Sequence, residues 1–169
     1  MSKIKYRHIK RKIKEMAGKI DAPANLLPIF KKSNGEQSPL IEIDNTGKLH
    51  YVHIERGRES DRKTTTEIDE LMFWIFNDVT FSLSTQYELE NRIENKDCRR
   101  LIFSKQEELL GLINNDWKAR EKKNHENILK NHPFDDFASI RAHFSKELRD
   151  GGMANDAARE KACDKHPLP

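Results

Sequence analysis

The chain has 169 residues, a length typical of one domain, and its hydrophobic residues, 36% of the total, are enough to form a core although 35% of the residues are charged. Its two cysteines form no paired motif and no run of about 18 apolar residues is present, which argues against a disulfide framework and a membrane span and favours a cytoplasmic protein. Residues 1–32 hold ten Lys/Arg and two Asp/Glu, a balance of +8, and the whole chain carries +3, so the remainder carries −5: a basic arm on an acidic body.

The first predicted element is an amphipathic helix. Apolar residues recur there at alternating steps of three and four, which places them on one side of a helix whose other sides are basic. The stripe consists of Tyr6, Ile9, Ile13, Met16 and Ile20. We expect this helix to end near Gly18–Asp21, and Ala22–Phe30 and Ser33–Pro39 to form loops.

A small antiparallel hairpin or sheet is predicted over about residues 40–56. Leu40–Asp44 and Leu49–Glu55 are short runs rich in apolar and β-branched residues, and the glycine in Asn45–Lys48 suits the tight turn between them. Side chains alternate along a strand, so Tyr51 and Val52 should lie on opposite faces. Both faces carry apolar residues, so we expect both to be covered.

A buried central helix is predicted over about residues 65–94. Thr64 followed by Glu67 fits a capping box, and the run Ile68–Phe76 is apolar around nearly the whole helix. The segment Thr80–Thr85 contains few strong helix formers, so a bend is expected there. The sequence therefore predicts that this helix forms the core of a bundle.

Three further helices complete the prediction. One follows the turn at Asn95–Asp97 with Asp97 as its cap, and one spans Asp116–Asn131 before Pro133. A short amphipathic helix follows Asp136 and ends at Gly151–Gly152. The predicted fold is therefore α+β and mostly helical, with one domain over residues 1–150 and a flexible tail over 151–169.

The seven histidines do not indicate a metal site. His50 and His53 are three residues apart on a strand and should point to opposite faces. His125 and His132 share a predicted helix face, but the sequence offers no third ligand. We therefore interpret the histidines as surface residues and expect no metal or other cofactor.

Three other segments admit a chemical interpretation beside a structural one. The charged run Glu55–Arg62 suits either an acid/base site or a solvated strand end and loop with ion pairs, with Gly57 at a bulge or bend. Arg99 and Arg100 suit either phosphate binding or surface charge near a helix cap. The aromatic residues in Phe73–Phe76 suit either a ligand pocket or a core. No nucleophile with a base at recognisable spacing accompanies any of them, so a binding protein is favoured over an enzyme.

Several motifs in one order resemble the Immunity protein 63 family of bacterial polymorphic toxin and contact-dependent growth inhibition systems. The resemblance extends over about residues 26–136. Its motifs are Leu26–Phe30, His53–Glu59, Thr64–Phe76, Val79–Leu83, Tyr87–Glu94, Arg99–Gly111 and His132–Asp136.

The resemblance implies a protein that binds the C-terminal domain of a cognate toxin in the cytosol and neutralises it by stoichiometric inhibition. Many such toxins are nucleases, and the acidic body of this protein would complement the charge of a basic nuclease. Exposed charged positions are the candidate contacts: Glu55, Arg56, Arg58, Glu59, Asp69 and Glu70. The alternative is a nucleic-acid-binding regulator that uses the basic helix Lys3–Lys19, although no motif for direct readout of bases is present. An enzyme built on Glu55–Glu59 is the least favoured hypothesis.

Overall fold

A computed structural model of the chain describes residues 6–30 and 39–169. In these ranges the chain is α+β and mostly helical, as predicted, with six α-helices and one four-stranded sheet. The helices are α1 (Tyr6–Gly18), α2 (Ile68–Glu90), α3 (Arg99–Ile113), α4 (Asn115–Asn131), α5 (Ala138–Asp150) and α6 (Asn155–Lys165). The strands are β1 (Ile29–Phe30), β2 (Leu40–Ile43), β3 (Leu49–Glu55) and β4 (Arg58–Thr65), in the order β1-β2-β3-β4.

Helix α1 packs through the predicted apolar stripe. Ile9 and Ile13 are buried in the same cluster as residues of the sheet and of α2, while Arg7, Arg11 and Lys14 are exposed on the other side. The Tyr6 hydroxyl, at the start of the helix, accepts a hydrogen bond from the backbone amide of Ile43 at 3.0 Å. The basic arm is therefore attached to the body by its apolar face.

The predicted hairpin is confirmed, and the structure adds a strand on one side of it. β2 and β3 pair antiparallel with Leu40 opposite Val52. β1 lies within the segment predicted as loop and pairs parallel with β2. That prediction was wrong because two residues beside Pro28 are too few to show a strand's alternation. The turn predicted from Ser33 falls mostly outside the described residues.

A fourth strand, β4, replaces the loop that was predicted for the charged run. It pairs antiparallel with β3, with a bulge beside His53 and Ile54. Arg56 and Gly57 have φ of +52° and +76°, which is the signature of a two-residue type I′ turn. β4 lies at the sheet edge, where exposed polar side chains are tolerated on both faces, so no apolar alternation marks it as a strand.

We expect Gly57→Ala to lower the free energy of unfolding by about 1 kcal/mol, because a Cβ at positive φ is strained. Gly18→Ala is the matched control: neither glycine would have another atom within 4 Å of an added Cβ, but Gly18 has no positive φ. The control should be neutral or stabilising. Urea unfolding followed by circular dichroism measures both, and equal effects would contradict the strain argument.

Helix α2 forms the core, as predicted, with two differences. The capping box is wrong: the helix begins at Ile68, Glu67 makes no side-chain cap bond, and Thr64 belongs to β4. The expected bend is also absent, and α2 is one helix of 23 residues. The Thr80 and Ser84 hydroxyls donate to carbonyl oxygens four residues earlier, at 2.6 and 2.7 Å, which satisfies these buried polar groups inside the helix.

Helix α3 packs on α2, and helix α4 packs on α3. The Asp97 carboxylate accepts the Arg99 amide at 2.9 Å, close to the cap that the sequence predicted, although the helix itself starts two residues later. The Asn114 side chain caps α4 by accepting the Asp116 amide at 2.8 Å. Trp117 of α4 is buried and its indole N–H donates to Asp69 of α2 at 3.3 Å.

The last two helices form a hairpin. α5 lies where it was predicted, but α6 occupies most of the segment that was expected to fray. Ala158 and Ala162 are fully buried, because small side chains allow α5 and α6 to approach closely. The sequence signal was missed since alanine adds little to an apolar stripe. Arg141 joins the hairpin to its neighbours through an ion pair with Asp135 and a bond to the His166 carbonyl.

Candidate functional site

The six charged candidates from the sequence do not form one site. Glu55, Arg56 and Arg58 are exposed at the β3–β4 turn, and no ion pair joins them to another described residue. Asp69 and Glu70 lie near the start of α2, which follows the opposite end of β4, roughly 20 Å along that strand. We call Glu55–Arg58 the hairpin tip.

The other three candidates have partners within the chain. Arg62 binds Glu59 at 2.7 Å and Glu42 at 2.8 Å, and its hydrogen bond lowers the pKa of Glu59. Asp69 accepts the Trp117 indole N–H. Of the six candidates, therefore, only the charged residues of the hairpin tip have no ion pair or side-chain hydrogen bond with another described residue.

Glu70 belongs to an arrangement that recurs in the molecule. Arg120 binds the Glu70 carboxylate at 2.6 Å, and its guanidinium carbon lies 3.7 Å from the centre of the Phe73 ring. Arg100 likewise binds Asp136 at 2.9 Å and lies 4.2 Å from the ring centre of Phe134. In both cases an arginine sits between a carboxylate and an aromatic face, where charge and ring quadrupole both favour it.

A cleft between β3 and α2 was not predicted. It has a volume of about 440 Å³ and combines polar side chains with an aromatic residue at its mouth. It is lined by Asn25, Leu26, Pro39, Tyr51, His53, Asp78, Phe81 and Ser82. We call it the β3–α2 cleft.

Asp78 is the charged group of the β3–α2 cleft. Its Oδ2 atom accepts the hydroxyl hydrogen of Tyr51 at 2.9 Å and lies 3.2 Å from Nε2 of His53. Tyr51 is only 1% exposed, and burial together with the Asp78 charge raises its pKa, so the phenol stays a donor. The Asp78 side chain keeps 37% of its surface exposed, so its charge faces the cleft.

Phe81 stands beside Asp78 with 50% of its surface exposed. It is three residues further along α2, on a neighbouring position of the helix surface. Leu89, eight residues beyond Phe81, is 63% exposed. Large aromatic side chains that remain half in water are typical anchors of protein interfaces. The cleft therefore offers a fixed carboxylate and an exposed ring next to each other.

Sequence reasoning missed this cleft because Asp78 and Phe81 stood inside the apolar run of the core helix. A helical projection of the sequence could have predicted that Phe81 is exposed, because it falls on another side of the helix from the buried residues Met72, Phe76 and Val79. Its connection to β3 is not visible in the sequence, since Tyr51 and Asp78 are 27 residues apart.

His125 corrects the interpretation of the histidines as surface residues. It is 3% exposed, stacks on Phe103 at 3.9 Å, and contacts carboxylates with both ring nitrogens: Glu107 at 2.9 Å and Glu121 at 3.3 Å. Burial disfavours its charged form, but the hydrogen bonds to Glu121 and Glu107 outweigh burial and raise its pKa. We call these three residues the His125 cluster. Within the described ranges no group of His, Cys, Asp and Glu has the arrangement of a metal site.

The alternative interpretation of the arginines at α3 is not supported either. Arg99 binds Asp97 at 2.6 Å and Arg100 binds Asp136, so both guanidinium groups are paired within the chain.

None of the helices in the described part of the chain is long and apolar enough to cross a membrane.

The comparisons with known proteins give one match. The model of a family described as Immunity protein 63 matches residues 44–127, which hold β3, β4, α2, α3 and most of α4. This range is narrower than the resemblance seen in the sequence, and it contains the hairpin tip, Asp78 and Phe81. No curated protein and no solved structure matches the chain. This match confirms the resemblance predicted from the order of the sequence motifs: through residues 44–127 the chain is identified with the Immunity protein 63 family, and that family implies an immunity protein against a toxin.

Proposed function

We propose that the protein binds a cognate toxin domain in the cytosol of the producing cell and neutralises it by stoichiometric occupation, without catalysis. The observation that supports this most directly is the presence of an unpaired charged tip and a cleft with an exposed aromatic residue inside the family segment. A catalytic group would need a base or nucleophile poised at a substrate, whereas the features here are those of a docking surface.

The hairpin tip and the cleft support a single contact surface. β3 and α2 run in the same direction, since Leu49 pairs with Thr65 just before α2 begins, while Tyr51 reaches Asp78 further along the helix. His53 and Glu55 alternate onto the same strand face as Tyr51. The tip and the second half of α2 therefore lie toward the same end of the molecule, and we propose that this end faces the toxin.

The acidic balance of residues 33–169 supports a basic partner, such as a nuclease. Charge complementarity mainly accelerates encounter, so it also predicts that association slows as salt increases. Of the sequence candidates, Glu55, Arg56 and Arg58 remain our proposed contacts. Glu59, Asp69 and Glu70 remain proposals with less support, because each is held by a partner inside the chain.

Co-expression tests the proposal. We expect cells that produce the toxin domain encoded beside this gene to survive only when this protein is also produced, and the two purified proteins to form a complex of equal stoichiometry by calorimetry. A noncognate immunity protein, active against its own toxin in the same strain, is the control. Survival with the noncognate protein, or no binding by this one, would contradict the proposal.

The nucleic-acid alternative retains one supporting observation. The exposed face of α1 forms a shallow basic cleft of about 520 Å³, lined by Arg7, His8, Lys10, Arg11 and Lys14. Phosphate contacts through these side chains would weaken steeply as salt rises. Gel shifts at low and at physiological salt distinguish the two functions, because a regulator retains sequence preference at the higher salt.

A further inference from the structure

We infer that the β3–α2 cleft receives an arginine side chain of the toxin, whose guanidinium binds the carboxylate of Asp78 and lies against the ring of Phe81. This inference rests on the proposed function and adds to it the chemistry of one contact. It follows from three features of the cleft: the way Asp78 is held, the place of Phe81, and the recurrence of the same arrangement on the same helix.

The first feature is the orientation of the Asp78 carboxylate. The hydrogen bond from Tyr51 and the ion-pair contact with His53 both go to Oδ2, and no described residue donates a hydrogen bond to Oδ1. The carboxylate is thus fixed by a buried donor while its second oxygen remains available. A fixed acceptor costs less to order on binding than a freely rotating one, so a cation that reaches it gains a stronger net interaction.

The second feature is the pairing of a carboxylate with an aromatic ring. A cation at Asp78 lies next to Phe81, which is half exposed. Arginine suits this position better than lysine, because its planar guanidinium can donate to a carboxylate and stack on a ring at the same time. An apolar side chain would cover Phe81 but leave the Asp78 charge desolvated and unpaired.

The third feature is a repeat along α2. Glu70 and Phe73 are an acid and a phenylalanine three residues apart, and Arg120 of this chain occupies the space between them. Asp78 and Phe81 have the same spacing on the same helix. Among the described residues, however, no arginine binds Asp78 or lies over Phe81. Arg120 of the same chain thus occupies the Glu70–Phe73 pair, and the Asp78–Phe81 pair is available to an arginine of a partner.

The test compares dissociation constants for the toxin domain, purified away from its inhibitor under denaturing conditions and refolded. Asp78→Asn removes the charge but keeps an oxygen that can accept from Tyr51, and Phe81→Ala removes an exposed ring. Asp164→Asn, an exposed change on α6, is the matched control. We expect the Asp78 variant to bind about 10- to 100-fold more weakly and the Phe81 variant about 10-fold more weakly, with the control equal to wild type.

The outcomes separate this inference from the proposed function. If the wild-type protein does not bind the toxin domain, the proposed function fails. If it binds and Asp78→Asn stays within about twofold of the control, the inference fails while the function stands; an unaffected Phe81→Ala variant overturns the stacking contact. Unchanged melting temperatures show that a loss of affinity is not a loss of folding.

Substitutions in the toxin complete the test. Each exposed arginine of the toxin domain is replaced in turn by glutamine and by lysine, and its coupling to Asp78→Asn is measured in a double-mutant cycle. We expect one arginine to show strong coupling, with lysine restoring only part of the affinity. Coupling to a native lysine alone, or to no basic residue, would overturn the inference.

Discussion

Replacing Phe76 with alanine is expected to lower the free energy of unfolding by about 3–5 kcal/mol, the range for removing a buried aromatic side chain. Phe76 is 0% exposed, and its ring stacks on Trp117 of α4 at 6.4 Å between centres. The substitution therefore leaves a cavity where α2 meets α4. For a chain of this length the melting temperature should fall by roughly 6–20 °C.

Phe81→Ala is the matched control for Phe76→Ala, because the residue type and the helix are the same and only burial differs. Phe81 is 50% exposed, so its removal should change stability by no more than about 0.5 kcal/mol. For affinity to the toxin domain we expect the reverse order: Phe81→Ala should weaken binding more than Phe76→Ala does. Urea unfolding and calorimetry measure the two properties separately. Equal losses of stability would contradict the assignment of Phe76 to the core.

The parts of the fold that the sequence predicted are those with local apolar periodicity. Three segments show this: the apolar stripe through Ile9 and Ile13, the two runs on either side of Gly47, and the dense apolar segment around Phe73. In each of them neighbouring residues in the sequence become buried together, so the apolar pattern predicts the element that forms. The missed elements lack such a pattern. β4 has polar residues on both faces, and α6 packs through Ala158 and Ala162, whose burial contributes little to a hydrophobic signal.

The candidate site was predictable only in part. The hairpin tip could be placed at the surface because its residues are charged and surround a glycine. The β3–α2 cleft depends on Tyr51 meeting Asp78 across the sheet–helix interface, which is a tertiary contact. Charge alone also misled the ranking: Glu59 and Glu70 look exposed in sequence, yet Arg62 and Arg120 bind them. Whether a surface charge is available for a partner depends on these nonlocal ion pairs.

The second large effect concerns the His125 cluster, where we expect His125→Gln to cost about 3 kcal/mol near neutral or mildly acidic pH. Removing one partner of a buried ion pair leaves the other charge uncompensated, and the usual cost is about 3–5 kcal/mol. Glu121 is 5% exposed, and its side chain would lose its contact with the imidazole. His143→Gln is the matched control: it contacts Glu147 at 3.3 Å with the same four-residue spacing, but both side chains are mostly exposed.

The loss of unfolding free energy caused by His125→Gln should depend on pH in the way expected for the ionised groups of the His125 cluster. The pKa of His125 is raised, so its stabilisation is complete below the ordinary histidine value of 6.5 and is lost as pH rises through the folded value. Burial disfavours ionised Glu121, but hydrogen bonds from His125 and Asn124 outweigh it and lower its pKa, so its stabilisation is complete above 4.5 and is lost as pH falls through the folded value. The difference between wild type and His125→Gln should therefore be largest between pH 4.5 and 6.5. Urea unfolding across this range measures it, and NMR titration of the wild-type imidazole gives the pKa even if the variant unfolds. A difference that stays constant from pH 4 to about 9, or an imidazole that titrates below the ordinary value, would show that the cluster does not hold a charged histidine.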